Sequence, residues 1–158
     1  MRVSVFMLVM SHRFDEAIEA EAHAIELDST NGPARWSFGD AYAATRRFDS
    51  AAREFAKARE LSGLMLGDEG YAVARSGRAD RAKEFLVRLE ERARTAYVDP
   101  YDRALVYAGL NDRDSAIQWL QRARDQHSAS IIWLRADPML DAPRGDPRFT
   151  MLVRNVGL

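Results

Sequence analysis

The stretch FDEAIEAEAHAIELD at residues 14–28 returns in outline as FDSAAREFAKARELS at residues 48–62. Phe14 aligns with Phe48, Asp15 with Asp49, Ala17 with Ala51, Ala24 with Ala58 and Leu27 with Leu61, each pair 34 residues apart. Ala82 and Ala116 are again 34 apart, whereas Ala51 and Ala82 are 31 apart, which places a shortened connection near Ser62–Gly63. A fixed period of this size means one supersecondary unit used several times. Within each copy the apolar positions advance by three and four, as in Phe48, Ala51, Phe55, Ala58 and in Ala116, Leu120, Ala123, so they share one face of a helix. Short polar turns precede these helices: SHR before Phe14, TRR before Phe48, SGR before Ala79 and LNDR before Asp114. A further helical segment precedes each turn, and the unit is therefore helix, turn, helix. Such a pair cannot cover its own apolar stripe and must stack on neighbours. Gly39 and Ala51 are expected where paired helices approach closely, with Phe38, Tyr42, Phe48 and Phe55 filling the space around them.

Trp36-Ser37-Phe38-Gly39-Asp40-Ala41-Tyr42, followed by Ala51, Phe55 and Ala58, resembles a tetratricopeptide repeat. Three positions depart from that pattern: Trp36 stands one place closer to the glycine, Phe38 replaces leucine, and Gly63 stands where proline is common. The resemblance implies an all-α fold, a right-handed α-α superhelix of about four units (1–31, 32–63, 64–96 and 97–127), closed by a helical cap over 128–158. The C-terminal part resembles the closing segment of bacterial tetratricopeptide regions, which in longer chains accompany winged-helix DNA-binding domains, kinases or cyclases. No such effector domain lies within the 158 residues, so none of those activities is implied. In the cap, Asp137-Pro138 and Asp146-Pro147 each set an N-cap acceptor before a proline at the first helical position. Phe149, Leu152 and Val153 then form a stripe able to cover the last repeat.

The residues offer no reaction chemistry. Cysteine is absent, which removes disulfides and thiolate nucleophiles. His12, His23 and His127 are scattered without a second ligand at metal spacing, and no cofactor is expected. Asp112-Arg113-Asp114 reads as a turn and helix N-cap. The neighbours Glu90-Glu91 and Asp68-Glu69 diverge by about 100° on a helix and cannot act jointly as acid and base. The sequence thus reads as a non-catalytic scaffold for another protein.

Helix geometry places the expected binding surface. If Phe38, Gly39 and Tyr42 face the core, then Trp36, Asp40, Ala43 and Ala44 lie on the opposite stripe. The matching positions are Gly67, Tyr71, Ala74 and Arg75 in the next unit, then Tyr101, Leu105 and Ala108. In stacked units these stripes line a concave groove. The groove candidates are Trp36, Asp40, Ala44, Tyr71, Arg75 and Tyr101, with the aromatic ones either lining the groove or packing between repeats. Asp40 and small apolar residues suit an apolar or amphipathic peptide and repel an acidic terminus, with Asp40 and Arg75 as polar discriminators.

The opening MRVSVFMLVMSHRF is too short to span a bilayer, lacks a small-x-small cleavage site and runs straight into the first repeat, so a cytoplasmic location without membrane association is expected. Its helix would carry Val3, Phe6, Met7 and Met10 on one stripe, yet Val5, Leu8 and Val9 make it apolar all round. The outer face then needs either an upstream unit or a second copy of the chain, and a homodimer through this end is the expectation. The β-branched content also permits a strand here. The alternative function is RNA binding through Arg81, Arg88 and Arg92, with Arg78 nearby. A net charge of −1 and a pI near 6.3 argue against it, as does Glu84 four residues before Arg88.

Overall fold

A computed structural model describes residue 8, residues 13–64 and residues 66–157. Among them there are nine α-helices and two short 3-10 helices, with no strand. The chain divides into two compact units, Met1–Met65 and Leu66–Leu158.

The first unit contains α1 (Phe14–Leu27), α2 (Gly32–Ala44) and α3 (Phe48–Ser62). Asn31 opens α2 by accepting a hydrogen bond from the Ala34 N–H at 2.9 Å, and Pro33 follows where its missing N–H costs nothing. Leu8, Ala17 and Ala41 form one buried cluster with Phe14 and Ile18 packed against it. Between α2 and α3 the approach is closer still: a Cβ on Gly39 would stand 2.5 Å from the Phe55 ring. The Arg35 guanidinium, donating to Glu54 at 2.7 Å with both side chains 12% exposed, ties the same two helices. The sequence expectation that Phe38 and Tyr42 lie inside α2 is corrected here. Both are half-buried and stack on each other at 4.4 Å with Arg47 over the tyrosine, whereas Ala34, Ser37, Gly39, Asp40, Ala41 and Ala43 are the buried positions, Gly39 as expected.

The second unit contains α4 (Leu66–Arg75), α5 (Ala79–Ala93), α6 (Pro100–Gly109) and α7 (Arg113–Asp125). The 3-10 segments Ala129–Trp133 and Pro138–Leu140 follow, then α8 (Asp141–Arg144) and α9 (Pro147–Asn155). Helices α4 and α6 run side by side in the same direction, since Gly67 meets Asp102, Gly70 meets Val106 and Gly109 meets Tyr71 and Ala74. Glycine is needed at Gly67 and Gly109 because the atoms opposite are backbone, 2.6 to 2.9 Å from where a Cβ would be. The closing segment is pinned by Asp137 and Asp146, which accept from the N–H groups of Met139 and Arg148, each at 2.8 Å. Leu134, Leu140, Phe149 and Leu152 are buried beneath it, and Val153 is half-buried.

The repeat reappears as geometry. Ala17, Ala51, Ala82 and Ala116, the positions in register in the sequence, are each 0% exposed. The polar turns are one structure used repeatedly. After α2, the Arg47 N–H donates to the Tyr42 carbonyl and the Arg46 N–H to Ala43, with Arg46 left-handed at φ 61°. The same pair of bonds recurs around Gly77 (φ 88°), Asn111 (φ 60°) and, after α7, His127 (φ 55°). This pattern satisfies two otherwise unpaired carbonyls at each helix end. The Arg13 N–H donates to the Leu8 carbonyl across the same five-residue span.

Candidate functional site

The six residues expected to line a groove fall in both units, and three of them are buried. Trp36, Asp40 and Ala44 belong to the first unit, and Tyr71, Arg75 and Tyr101 to the second. Trp36, Ala44 and Arg75 are half-buried, but Asp40 is 2%, Tyr71 6% and Tyr101 4% exposed. Those three are corrected from lining residues to interior ones. In α4 the cover is nearly complete: every residue from Leu66 to Ala74 is buried, Asp68 and Glu69 included. Val3, Phe6, Met7 and Met10 lie outside the described residues.

Tyr101 belongs to a polar network that fastens the closing segment to α6. Its hydroxyl donates to Asp137 Oδ2 at 2.8 Å. Asp99 caps α6 by accepting from the Tyr101 N–H, and its other oxygen accepts from the hydroxyls of Ser128 and Ser130 at 2.7 and 2.8 Å. Arg144 donates to the Asp137 carbonyl at 2.7 Å. Burial pushes the Asp137 carboxyl up to about 6 and the Tyr101 hydroxyl well above its usual range. Desolvation, reinforced by Asp68 and Asp99, pushes Asp102 up to about 8. In the first unit burial similarly raises Glu21 to about 7, opposed by the Ser37 hydroxyl. The donors to the Asp137 carboxylate, the Tyr101 hydroxyl and the Met139 N–H, both belong to the second unit.

One open concavity of the second unit lies between α5, α6 and α7. It is a cleft of about 350 Å³ lined by Leu86, Val87, Glu90, Glu91 and Arg94 of α5, Arg103 and Tyr107 of α6, and Trp119 of α7. Successive turns of α5 supply one wall, because positions 86, 87, 90, 91 and 94 share a helix face. Arg103 forms the floor. It is 7% exposed and donates to the Leu89 carbonyl at 3.3 Å and to Glu90 Oε2 at 3.1 Å. Its guanidinium lies 4.6 Å from the Trp119 ring, and that of Arg122 lies 4.4 Å from the same ring. The indole is thereby fixed by two cations, each contributing attraction of about 0.5–2 kcal/mol. No carboxylate among the described residues pairs with Arg94 or Arg122.

Sequence reasoning missed Trp119, Tyr107 and Arg103. One signal was available: Trp119 falls between Ala116 and Leu120 yet off their stripe, so its ring stands at the edge of the buried face, three residues from Arg122. The arginines of the nucleic-acid alternative are less uniform than their spacing suggests. Arg78, Arg81 and Arg88 are exposed, while Arg92 is half-buried and its charge opposes, without cancelling, the rise of the Asp102 carboxyl. Among the described residues no helix is long and apolar enough to cross a membrane. Comparison with protein-family models, curated proteins and solved structures finds no match to this chain.

Proposed function

We propose that the chain is a tetratricopeptide-like array of helical hairpins that acts as a non-catalytic protein-interaction module, holding an apolar or amphipathic segment of another protein. The observation that carries this reading is the register of Ala17, Ala51, Ala82 and Ala116, spaced 34, 31 and 34 residues apart and each 0% exposed, with the same left-handed turn ahead of the helices that carry the last three. A hairpin reused in this way buries one edge of each unit and leaves side chains between successive units for a ligand, as in other helical-repeat proteins. Aromatic side chains held half-open on rigid helices, here Trp36 and Trp119, are of the type that dominates binding energy at protein interfaces.

The test is retention from native lysate by the immobilised chain. The proposal expects a discrete set of proteins, retained equally after ribonuclease treatment and reduced by Trp36→Ala or Trp119→Ala in variants with unchanged helicity. Retention abolished by ribonuclease, or saturable and steeply salt-dependent binding of RNA alone, would replace this reading with the nucleic-acid one.

A further inference from the structure

We infer that the cleft between α5, α6 and α7 is a peptide site of defined chemistry: it takes an apolar side chain with a single acidic residue beside it. This deepens the interaction-module reading and rests on it. Above the Arg103 floor, Leu86, Val87, Tyr107 and Trp119 give the lining its apolar part, and Val87 is 58% exposed, surface that an apolar ligand side chain would cover. About 350 Å³ is enough for one or two aliphatic or aromatic side chains and too little for a folded domain.

Charge decides what lies beside the anchor. Of the two arginines on the Trp119 ring, Arg103 is already committed to Glu90 and the Leu89 carbonyl. Arg122, not itself a lining residue, is exposed, lies over the Trp119 ring at 4.4 Å and has no carboxylate partner among the described residues; the exposed Arg94, within the lining, has none either. A carboxylate placed at Arg122 gains a charge-assisted, geometrically forked pair. A polyanion does not fit as well, because the lining is charge-balanced, Glu90 and Glu91 against Arg94 and Arg103, and offers a run of phosphates no basic track. The same Glu91 favours a ligand whose acidic group is confined to the Trp119 side. The charge pattern therefore favours a peptide over single-stranded RNA, although a tryptophan flanked by arginines suits base stacking as well.

The experiment follows the Trp119 indole N–H resonance in ¹H–¹⁵N spectra of the full chain, assigned by its loss in Trp119→Phe. The probes are two synthetic amphipathic peptides, identical except that one carries Leu with Glu and the other Leu with Lys, and a poly-uridine oligonucleotide. The expected result is a saturable shift of Trp119 by the Leu/Glu peptide, at about tenfold lower concentration than by the Leu/Lys peptide. Arg122→Glu, at an exposed position, should reverse that order, and Val87→Glu should abolish both shifts while far-UV circular dichroism stays unchanged. A Trp119 resonance that no peptide moves, a preference that Arg122→Glu leaves intact, or a shift caused by the oligonucleotide alone overturns the inference. If the Leu/Glu peptide shifts Trp36 and not Trp119, the cleft is wrong and the interaction-module reading stands; if the oligonucleotide alone moves either resonance, both fail.

Discussion

Replacing single glycines by alanine in the second unit tests whether α4 and α6 are held at the distance their backbones allow. Alanine is intrinsically better than glycine in a helix interior by about 0.8–1 kcal/mol, so with no neighbour in the way each replacement should stabilise. At Gly67 the added Cβ would stand 2.6 Å from Asp102 Cα and 2.7 Å from its carbonyl oxygen. At Gly109 it would stand 2.8 Å from the Tyr71 carbonyl oxygen and 2.9 Å from its Cα. Optimal carbon–carbon separations are about 3.5–4.0 Å, so roughly an ångström of separation is demanded from backbone, which cannot swing aside. The helices must part along their length, and Gly67→Ala and Gly109→Ala should each lose about 2–3 kcal/mol net of the helical gain. Gly70→Ala meets a Val106 methyl at 2.7 Å and the Phe85 Cβ at 3.0 Å, and a side-chain methyl yields more easily, so about 1 kcal/mol is expected. Gly145, with ordinary helical φ and nothing within 4 Å, is the internal control and should be neutral or slightly stabilised. Urea unfolding followed by circular dichroism reads these as midpoint shifts at constant slope, about 1 M for 2 kcal/mol at a slope of about 2 kcal/mol/M. Midpoints at or above wild type for Gly67→Ala and Gly109→Ala would show that the two helices do not touch as described.

Other perturbations probe the turns, the titration and the closing segment. Arg46→Gly should raise stability by about 0.5–1 kcal/mol, because Arg46 occupies a left-handed position that a side chain disfavours, and Gly77→Ala should lower it by about 1 kcal/mol for the same reason. Thermal melts of the two variants check the opposite signs. Glu21, Asp102 and Asp137 all have carboxyls raised above their usual range, to about 7, 8 and 6, so the folded chain binds more protons than the unfolded one between about pH 4 and 8. Stability must then fall as pH rises through that window. Glu21→Gln, keeping a partner for Ser37, should remove on the order of 2 kcal/mol of that fall between pH 4.5 and 7. A chain whose unfolding midpoint rises from pH 5 to pH 8 contradicts this. Tyr101→Phe takes one donor from the buried Asp137 carboxylate and should cost about 1–3 kcal/mol, and a double-mutant cycle with Asp137→Asn should show the two effects to be coupled.

The period, the hairpin and the buried alanines were open to reading in one dimension, since each depends on near neighbours. A helix face recurs every three or four residues, an alanine at a close crossing tolerates no larger side chain, and a left-handed turn leaves a short polar signature. That is why Ala17, Ala51, Ala82 and Ala116 announced themselves, and why TRR, SGR and LNDR marked the turns that Arg46, Gly77 and Asn111 close. Which side of a helix meets solvent is different, because it depends on everything packed around that helix. The segment LGDEGYAVAR carries two acids and reads as half-open, yet it is enclosed along nine residues because α6 lies against its glycines with backbone touching backbone. Tyr101 became an anchor for the closing segment only when Asp137, 36 residues on, arrived beneath its hydroxyl. The cleft likewise exists only where three helices bring Val87, Arg103 and Trp119 together, and no local pattern relates residues so spaced along the chain. Local sterics wrote the repeat into the sequence, and long-range packing alone decided which of its side chains solvent can reach.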